Sequence, residues 1–207
     1  MGRINLLPAA VGQEFVTRSS PPDWTEVFGF VGPLELEIGS GLGGFALEYA
    51  HRFPKVQYVA LERRKKFARE AERRANTRGL KNLRFIEADA RVEIPRLFEK
   101  DSLSAVRLHF PDPWWKRSHQ KRLLVQADFA RLLWELLAPD GFLDLRTDVE
   151  ARAKGMVTKL EEAGFVNPLG AGVFHPTSPD EVPSSREQRY LVTGTPVYRA
   201  KLRKTAI

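Results

Sequence analysis

The sequence contains no cysteine. That excludes disulfides, thiolate metal sites and cysteine nucleophiles, and it fits a reducing, cytoplasmic setting. It also lacks any apolar run long enough to span a bilayer, so no membrane partner is expected. Residues 1–17 carry Arg3, Pro8 and Glu14 where a secretion signal would need an apolar core. Internal repeats and low-complexity tracts are missing as well. The four histidines, His51, His109, His119 and His175, are scattered. They show no metal-ligand spacing and read as structural or partner-facing, so no metal is expected.

What is present suits one domain with a real core: 207 residues, of which 43% are hydrophobic. Lys and Arg number 33 against 26 Asp and Glu, a net charge of +7. A basic balance favours an anionic partner, most commonly nucleic acid.

Residues 1–33 are loop-rich, with Pro8, Pro21-Pro22 and Gly32-Pro33, and read as an N-terminal arm. Regular alternation follows. Strands are expected over 34–38, 57–62, 83–88, 103–110 and 142–146, and β-like pieces over 173–174 and 196–202. Helices are expected over 44–51, 63–77, 91–99, 121–137 and 149–162. Strands alternating with helices imply an α/β, doubly wound, mostly parallel sheet, here of seven strands, with helices on both faces. Ligands of such sheets bind beyond the carboxyl ends of the strands.

Leu34-Glu35-Leu36-Glu37-Ile38-Gly39-Ser40-Gly41-Leu42-Gly43-Gly44 reads as a strand, a glycine-rich turn and a helix start. Gly39 and Gly41 let a ligand approach the backbone closely, and the helix N-terminus directs free N–H groups at it. The same spacing fits a dinucleotide fingerprint. Glu37 begins to separate a dinucleotide from S-adenosylmethionine. A carboxylate at the end of a buried strand needs a partner. A pyrophosphate would repel it, whereas the sulfonium and ammonium of S-adenosylmethionine would not. The competing reading is an ion pair with a nearby arginine. Glu62 ends the second strand where an acid takes ribose hydroxyls, a position shared by both cofactors. Asp89, after the third strand, suits a hydrogen bond from an adenine amine or a helix N-cap.

Phe110-Pro111-Asp112-Pro113-Trp114-Trp115-Lys116 follows the fourth strand. Prolines fix their own φ and extend the residue before them, so Asp112 stands on a stiff support. Two tryptophans and a basic run through Lys116, Arg117, Lys121 and Arg122 come next, which suits a nucleobase and phosphates. A strand exit covered by aromatics is the structural alternative. The arginine-rich stretch from Arg63 to Arg78 reads mainly as a solvated face with pairs such as Glu70–Arg74.

Together these residues resemble the class I S-adenosylmethionine-dependent methyltransferases. The aspartate-proline-tryptophan motif narrows the resemblance to the bacterial tRNA (guanine-N(7)-)-methyltransferase family, over about residues 35–198. The resemblance implies S-adenosylmethionine as cofactor and tRNA as partner, with a variable-loop guanosine converted to 7-methylguanosine. It implies cofactor acids at Glu37, Glu62, Asp89 and Asp112, an active-site acid at Asp112, and substrate contacts at Lys116 and Asp148. The family's Thr-x-x-Glu motif falls on Ser184 to Glu187, with serine in place of threonine. Residues 34–207 are then one methyltransferase domain with a C-terminal tRNA-contacting segment, in a monomer or homodimer. Rival readings are an NAD-dependent oxidoreductase on the same fold, another RNA methyltransferase, a small-molecule methyltransferase and a non-catalytic RNA-binding protein.

Overall fold

The computed structural model describes residues 10–112, 123–178 and 181–205. The elements run α1 (Gln13–Val16), α2 (Trp24–Phe28), β1 (Leu34–Ile38), α3 (Gly44–Arg52), β2 (Gln57–Glu62), α4 (Lys65–Thr77) and β3 (Leu83–Glu87). They continue with α5 (Ala90–Leu97), β4 (Leu103–His109), α6 (Ala127–Leu136), β5 (Leu137–Thr147), α7 (Glu150–Glu162), α8 (Ser185–Thr193) and β6 (Tyr198–Arg203).

Six strands form one sheet in the order β3-β2-β1-β4-β5-β6. The first five are parallel, and β6 returns antiparallel beside β5. The order reverses between β1 and β4, which opens a crevice above their carboxyl ends. The doubly wound α/β fold is therefore present, with six strands among the described residues where seven are expected. The segment at Val173-Phe174 forms no ladder. Its neighbour His175 donates a single backbone hydrogen bond to Arg199 O at 2.9 Å. A second difference lies at Pro139-Asp140-Gly141, expected to precede a strand. These residues bulge within β5, so that Leu103 pairs with Leu137 and Ala105 already with Phe142.

The two faces of the sheet differ in chemistry. Successive strand residues point to opposite sides. Leu34, Leu36 and Ile38, with Val106, Leu108, Leu143 and Leu145, build the larger apolar core, shared with Ile94, Phe129, Leu133 and Leu160 of the covering helices. Residues 10–33 join this core through Phe15, Trp24 and Phe28, and Trp24 donates its indole N–H to Leu97 O at 2.9 Å.

The intervening residues face the other way. Glu35 and Glu37, Arg107 and His109, Asp144 and Arg146 form a buried polar layer across β1, β4 and β5. Phe45 and Tyr49 of α3 cover its centre, and the Arg107 guanidinium lies 4.0 Å from the Tyr49 ring centroid. Such charges tolerate burial only when paired. Arg107 meets Glu35, and Arg146 meets Asp144 at 2.8 Å and Glu187 of α8 at 2.9 Å. Arg199 of β6 closes the chain on the other oxygen of Glu187 at 2.8 Å. Glu37 has no ion-pair partner among the described residues.

Candidate active site

A cleft of about 820 Å³ lies over the carboxyl ends of β1, β2 and β4 and is walled by α8. Its floor is the glycine turn. The amides of Gly39 and Ser40 both donate to Leu61 O, at 2.9 and 3.0 Å, which folds the turn back onto β2. Gly43 has φ +72°, and a Cβ there would sit 2.5 Å from Phe85 Cζ. A side chain at Gly43 is therefore excluded both by backbone and by space. Gly44, at the start of α3, would bring a Cβ within 2.3 Å of Ser185 Oγ, so the turn also seats α8. The Ser40 hydroxyl, in the same turn, is buried and has no hydrogen-bond partner among the described residues.

Glu37 lines the cleft at 3% exposure. Among the described residues its one hydrogen bond comes from the Tyr58 hydroxyl, donating at 3.2 Å. Burial pushes its carboxyl up to about 7, although Arg107, the Tyr58 hydrogen bond and Arg146 pull the other way. The residue is a buried acid that a nearby cation would stabilise.

Glu62 and Asp89 flank the adjacent rim. Glu62 accepts from the amides of Gly41 and Arg64 at 2.8 and 2.7 Å, so its orientation is fixed by the glycine turn. Asp89 is the N-cap of α5, accepting from the Arg91 amide at 3.1 Å. It also pairs with the Arg91 guanidinium, and that contact holds its carboxyl below the ordinary range. Of the two roles weighed for Asp89, the helix N-cap is present, and the residue also lines the cleft.

Phe110 is the first residue past β4 and has φ +51°, a conformation that bulky residues rarely adopt. Its amide donates to Arg146 O at 2.7 Å, its ring meets Tyr190 edge-on, and Arg186 lies over it at 5.2 Å. Held from three sides, Phe110 redirects the chain so that Pro111 and Asp112 line the cleft. Asp112 is exposed there. Pro113, the tryptophan pair, Lys116 and the basic run to Arg122 lie outside the described residues.

The C-terminal motif is a helix start. Ser184 caps α8 by accepting from the Glu187 amide at 3.2 Å, and Glu187 accepts from the Ser184 amide at 2.8 Å. This reciprocal capping box places Glu187 at 1% exposure, between Arg146 and Arg199. Its carboxylate is thereby occupied by two guanidiniums of the protein, and Arg146 keeps it below the ordinary range despite burial. Asp148, expected near a substrate, accepts from the Tyr190 hydroxyl at 2.6 Å.

Sequence reasoning missed the arginines around the cleft. Arg186 and Arg189 of α8 are exposed at its mouth. The helical order of Arg186-Glu187-Gln188-Arg189 turns both away from the buried Glu187, a signal available once a capping box is read there. Within α4, Glu70 pairs with Arg73 rather than Arg74. Arg74 instead donates to Leu42 O at 2.7 Å, tying α4 to the glycine turn. Among the described residues no group of three or more metal-ligating side chains converges, and no helix is long and apolar enough to cross a membrane.

The fold and motifs have relatives. A family model described as a putative methyltransferase matches residues 32–200. A tRNA (guanine-N(7)-)-methyltransferase of Myxococcus xanthus is 60% identical, with all of both chains covered. One from Anaeromyxobacter dehalogenans is 51% identical over 91% of this chain and 94% of its own. Among solved structures, the 16S rRNA methyltransferase KamB superposes with a TM-score of 0.64 over 92% of this chain and 98% of its own. At 17% identity, that likeness concerns the fold alone. A strand order that opens a crevice above β1 and β4, a glycine turn beneath a buried acid, Asp112 at the cleft and relatives of one description over nearly the whole chain agree, and the chain belongs to the bacterial tRNA (guanine-N(7)-)-methyltransferase family of class I S-adenosylmethionine-dependent methyltransferases.

Proposed function

We propose that this chain transfers a methyl group from S-adenosylmethionine to nitrogen 7 of a guanosine in the variable loop of tRNA. The observation that carries the reading is Glu37: a buried carboxylate, without an ion-pair partner among the described residues, lining a glycine-floored cleft that Asp112 also borders. The cleft fits the methyl donor chemically. Glu37 supplies the anion that a cation needs, the glycine turn admits a nucleoside, and Glu62, held at the rim by the Gly41 and Arg64 amides, would accept from a ribose diol. Asp89 accepts from an adenine amine without leaving its cap. A pyrophosphate cofactor would set its charge against Glu37, which argues against the dehydrogenase reading.

When bound, S-adenosylmethionine supplies an electrophilic methyl on a sulfonium. Nitrogen 7 of guanine has an exposed lone pair and no proton to lose. The protein therefore needs no strong base; it needs alignment and an anion for charge that develops on the base. Asp112 fills that role by accepting from guanine N–H groups. Asp148, held by Tyr190, offers a second acceptor, and Lys116 meets phosphate. Arg186 and Arg189 extend the cationic rim. Ser184 and Glu187 act by fixing α8 over the cleft. The reading treats residues 34–207 as the methyltransferase domain, acting in the cytoplasm as a monomer or homodimer.

The test is direct. Incubation with unmodified tRNA and labelled donor, followed by digestion to nucleosides, is expected to yield 7-methylguanosine from the variable loop. A tRNA without guanosine there is expected to accept no methyl group. A different methylated base would overturn the assignment.

A further inference from the structure

His109 closes β4 on the same side of the sheet as Glu37, and it lines the same cleft. Its side chain is 4% exposed and packs edge-on against Phe45, with ring centroids 4.6 Å apart. Nε2 lies 2.9 Å from Asp144 Oδ2. Asp144 in turn receives Arg146 through Nη2 at 2.8 Å and Nε at 3.1 Å. Burial opposes the charge on Asp144, but His109 and Arg146 outweigh it and hold the carboxyl well below the usual carboxylate range. An ionised carboxylate has no proton to give, so the hydrogen of this contact belongs to Nε2. Burial also keeps the imidazole itself below its ordinary range, against the pull of Asp144. A neutral ring protonated at Nε2 presents a bare lone pair at Nδ1. That atom is buried and has no partner among the described residues. An orphaned buried acceptor is costly unless a donor reaches it.

We infer that His109 is a further cofactor-binding residue, whose Nδ1 accepts a hydrogen bond from the α-ammonium of the methyl donor's amino-acid end. The ammonium carries three N–H donors and needs several acceptors around it. Glu37, on the adjacent strand and short of a cation, supplies charge, and His109 supplies direction. The Arg146–Asp144 pair fixes the tautomer from behind, as a carboxylate does for a ligating histidine. A donor lacking the amino-acid end would leave Nδ1 unsatisfied.

This inference rests on the donor cleft proposed above, and the experiment separates the two. His109→Gln retains a donor near the position of Nε2 for Asp144 but lacks the Nδ1 acceptor. Binding of S-adenosylhomocysteine and of 5′-methylthioadenosine, which has no amino-acid end, is measured by calorimetry on wild type and variant. The variant is expected to lose about tenfold in affinity for S-adenosylhomocysteine and to bind 5′-methylthioadenosine as wild type does. Equal losses for both ligands, or no loss for either, overturn the assignment. Nitrogen-15 spectra of the wild-type histidines give a readout that requires no mutation. The His109 Nδ1 resonance is expected to move on adding S-adenosylhomocysteine and to stay with 5′-methylthioadenosine; an unmoved resonance with both overturns the inference. Wild-type protein that binds neither nucleoside would instead refute the donor cleft itself.

Discussion

The Tyr190 hydroxyl donates to the Asp148 carboxylate at 2.6 Å, joining α8 to the loop after β5. The pair is partly exposed, so its worth to stability is small. Its effect is directional, because it occupies Oδ2 and would leave Oδ1 to serve as the proposed substrate acceptor. Tyr190→Phe is expected to leave S-adenosylhomocysteine affinity unchanged and to lower kcat/KM for tRNA several-fold. Steady-state kinetics with varied tRNA check this, and an unaltered kcat/KM would remove Asp148 from the substrate contacts.

Glu37 gives the cofactor step a pH dependence. Its free carboxyl titrates near 7 because of burial, and a bound cation favours the ionised form. S-adenosylhomocysteine is therefore expected to bind more weakly as pH falls below about 7, with a proton released on binding. Calorimetry in buffers of different ionisation enthalpy measures that proton. Stability runs the opposite way. The folded value of about 7 lies above the ordinary 4.5, so ionising Glu37 costs folding energy above that window and the cost disappears as pH falls through it. Glu37→Gln is expected to stabilise the free protein at pH 8 by about 1–3 kcal/mol while weakening the ligand.

Asp112 is exposed, so its substitution tests chemistry with little risk to the fold. Asp112→Asn is expected to melt as wild type does and to lose about a hundredfold in single-turnover rate with saturating tRNA. Retention of most of the rate would reduce the residue to a shaper of the loop.

Glu187 tests the opposite case, a buried acid with two guanidinium partners. Removing one member of such a group leaves charge uncompensated and costs about 3–5 kcal/mol. Glu187→Gln is expected to approach that loss in denaturant titrations at pH 7. Because its folded carboxyl lies below the ordinary range, the stabilisation is present above that range and fades as pH falls through it. The gap between variant and wild type is expected to narrow in acid. Ser184→Ala, which removes only the cap, is expected to cost about 1 kcal/mol.

Arg186 and Arg189 stand at the mouth of the cleft, one over Phe110 and both exposed. Neutralising either is expected to weaken tRNA binding and to flatten its logarithmic salt dependence by up to about one unit per contact. Filter binding from low to moderate salt measures the slope. An unchanged slope would show that the cations serve α8 rather than RNA.

Much of the fold was legible because periodicity and punctuation agreed. The glycine turn between β1 and α3, and the order of strand and helix through α7, follow from pattern. The buried polar layer was harder to see. Leu34-Glu35-Leu36-Glu37, Val106-Arg107-Leu108-His109 and Leu143-Asp144-Leu145-Arg146 alternate strictly, with opposite charges on adjacent strands. Reading central strands as apolar on both faces hides that alternation. The role of Glu187 was hidden for another reason. A capping box is local, but the guanidiniums it meets come from β5 and β6, and only the antiparallel return of β6 brings them together.

The span of that last contact bears on how the molecule is made. Arg146 is satisfied by a carboxylate 41 residues further along the chain, and that carboxylate by an arginine another 12 residues on. A nascent chain that has emerged only as far as β5 already holds the glycine turn, Glu37 and Asp112, with α3 over the centre of the charged layer, yet the Arg146 end of that layer lacks its Glu187 partner. Completion of that end waits for α8 and β6. The wall of the cleft and the last ion pairs of the layer thus arrive together, and a ribosome-bound intermediate would be folded in outline while its cleft lacks one wall.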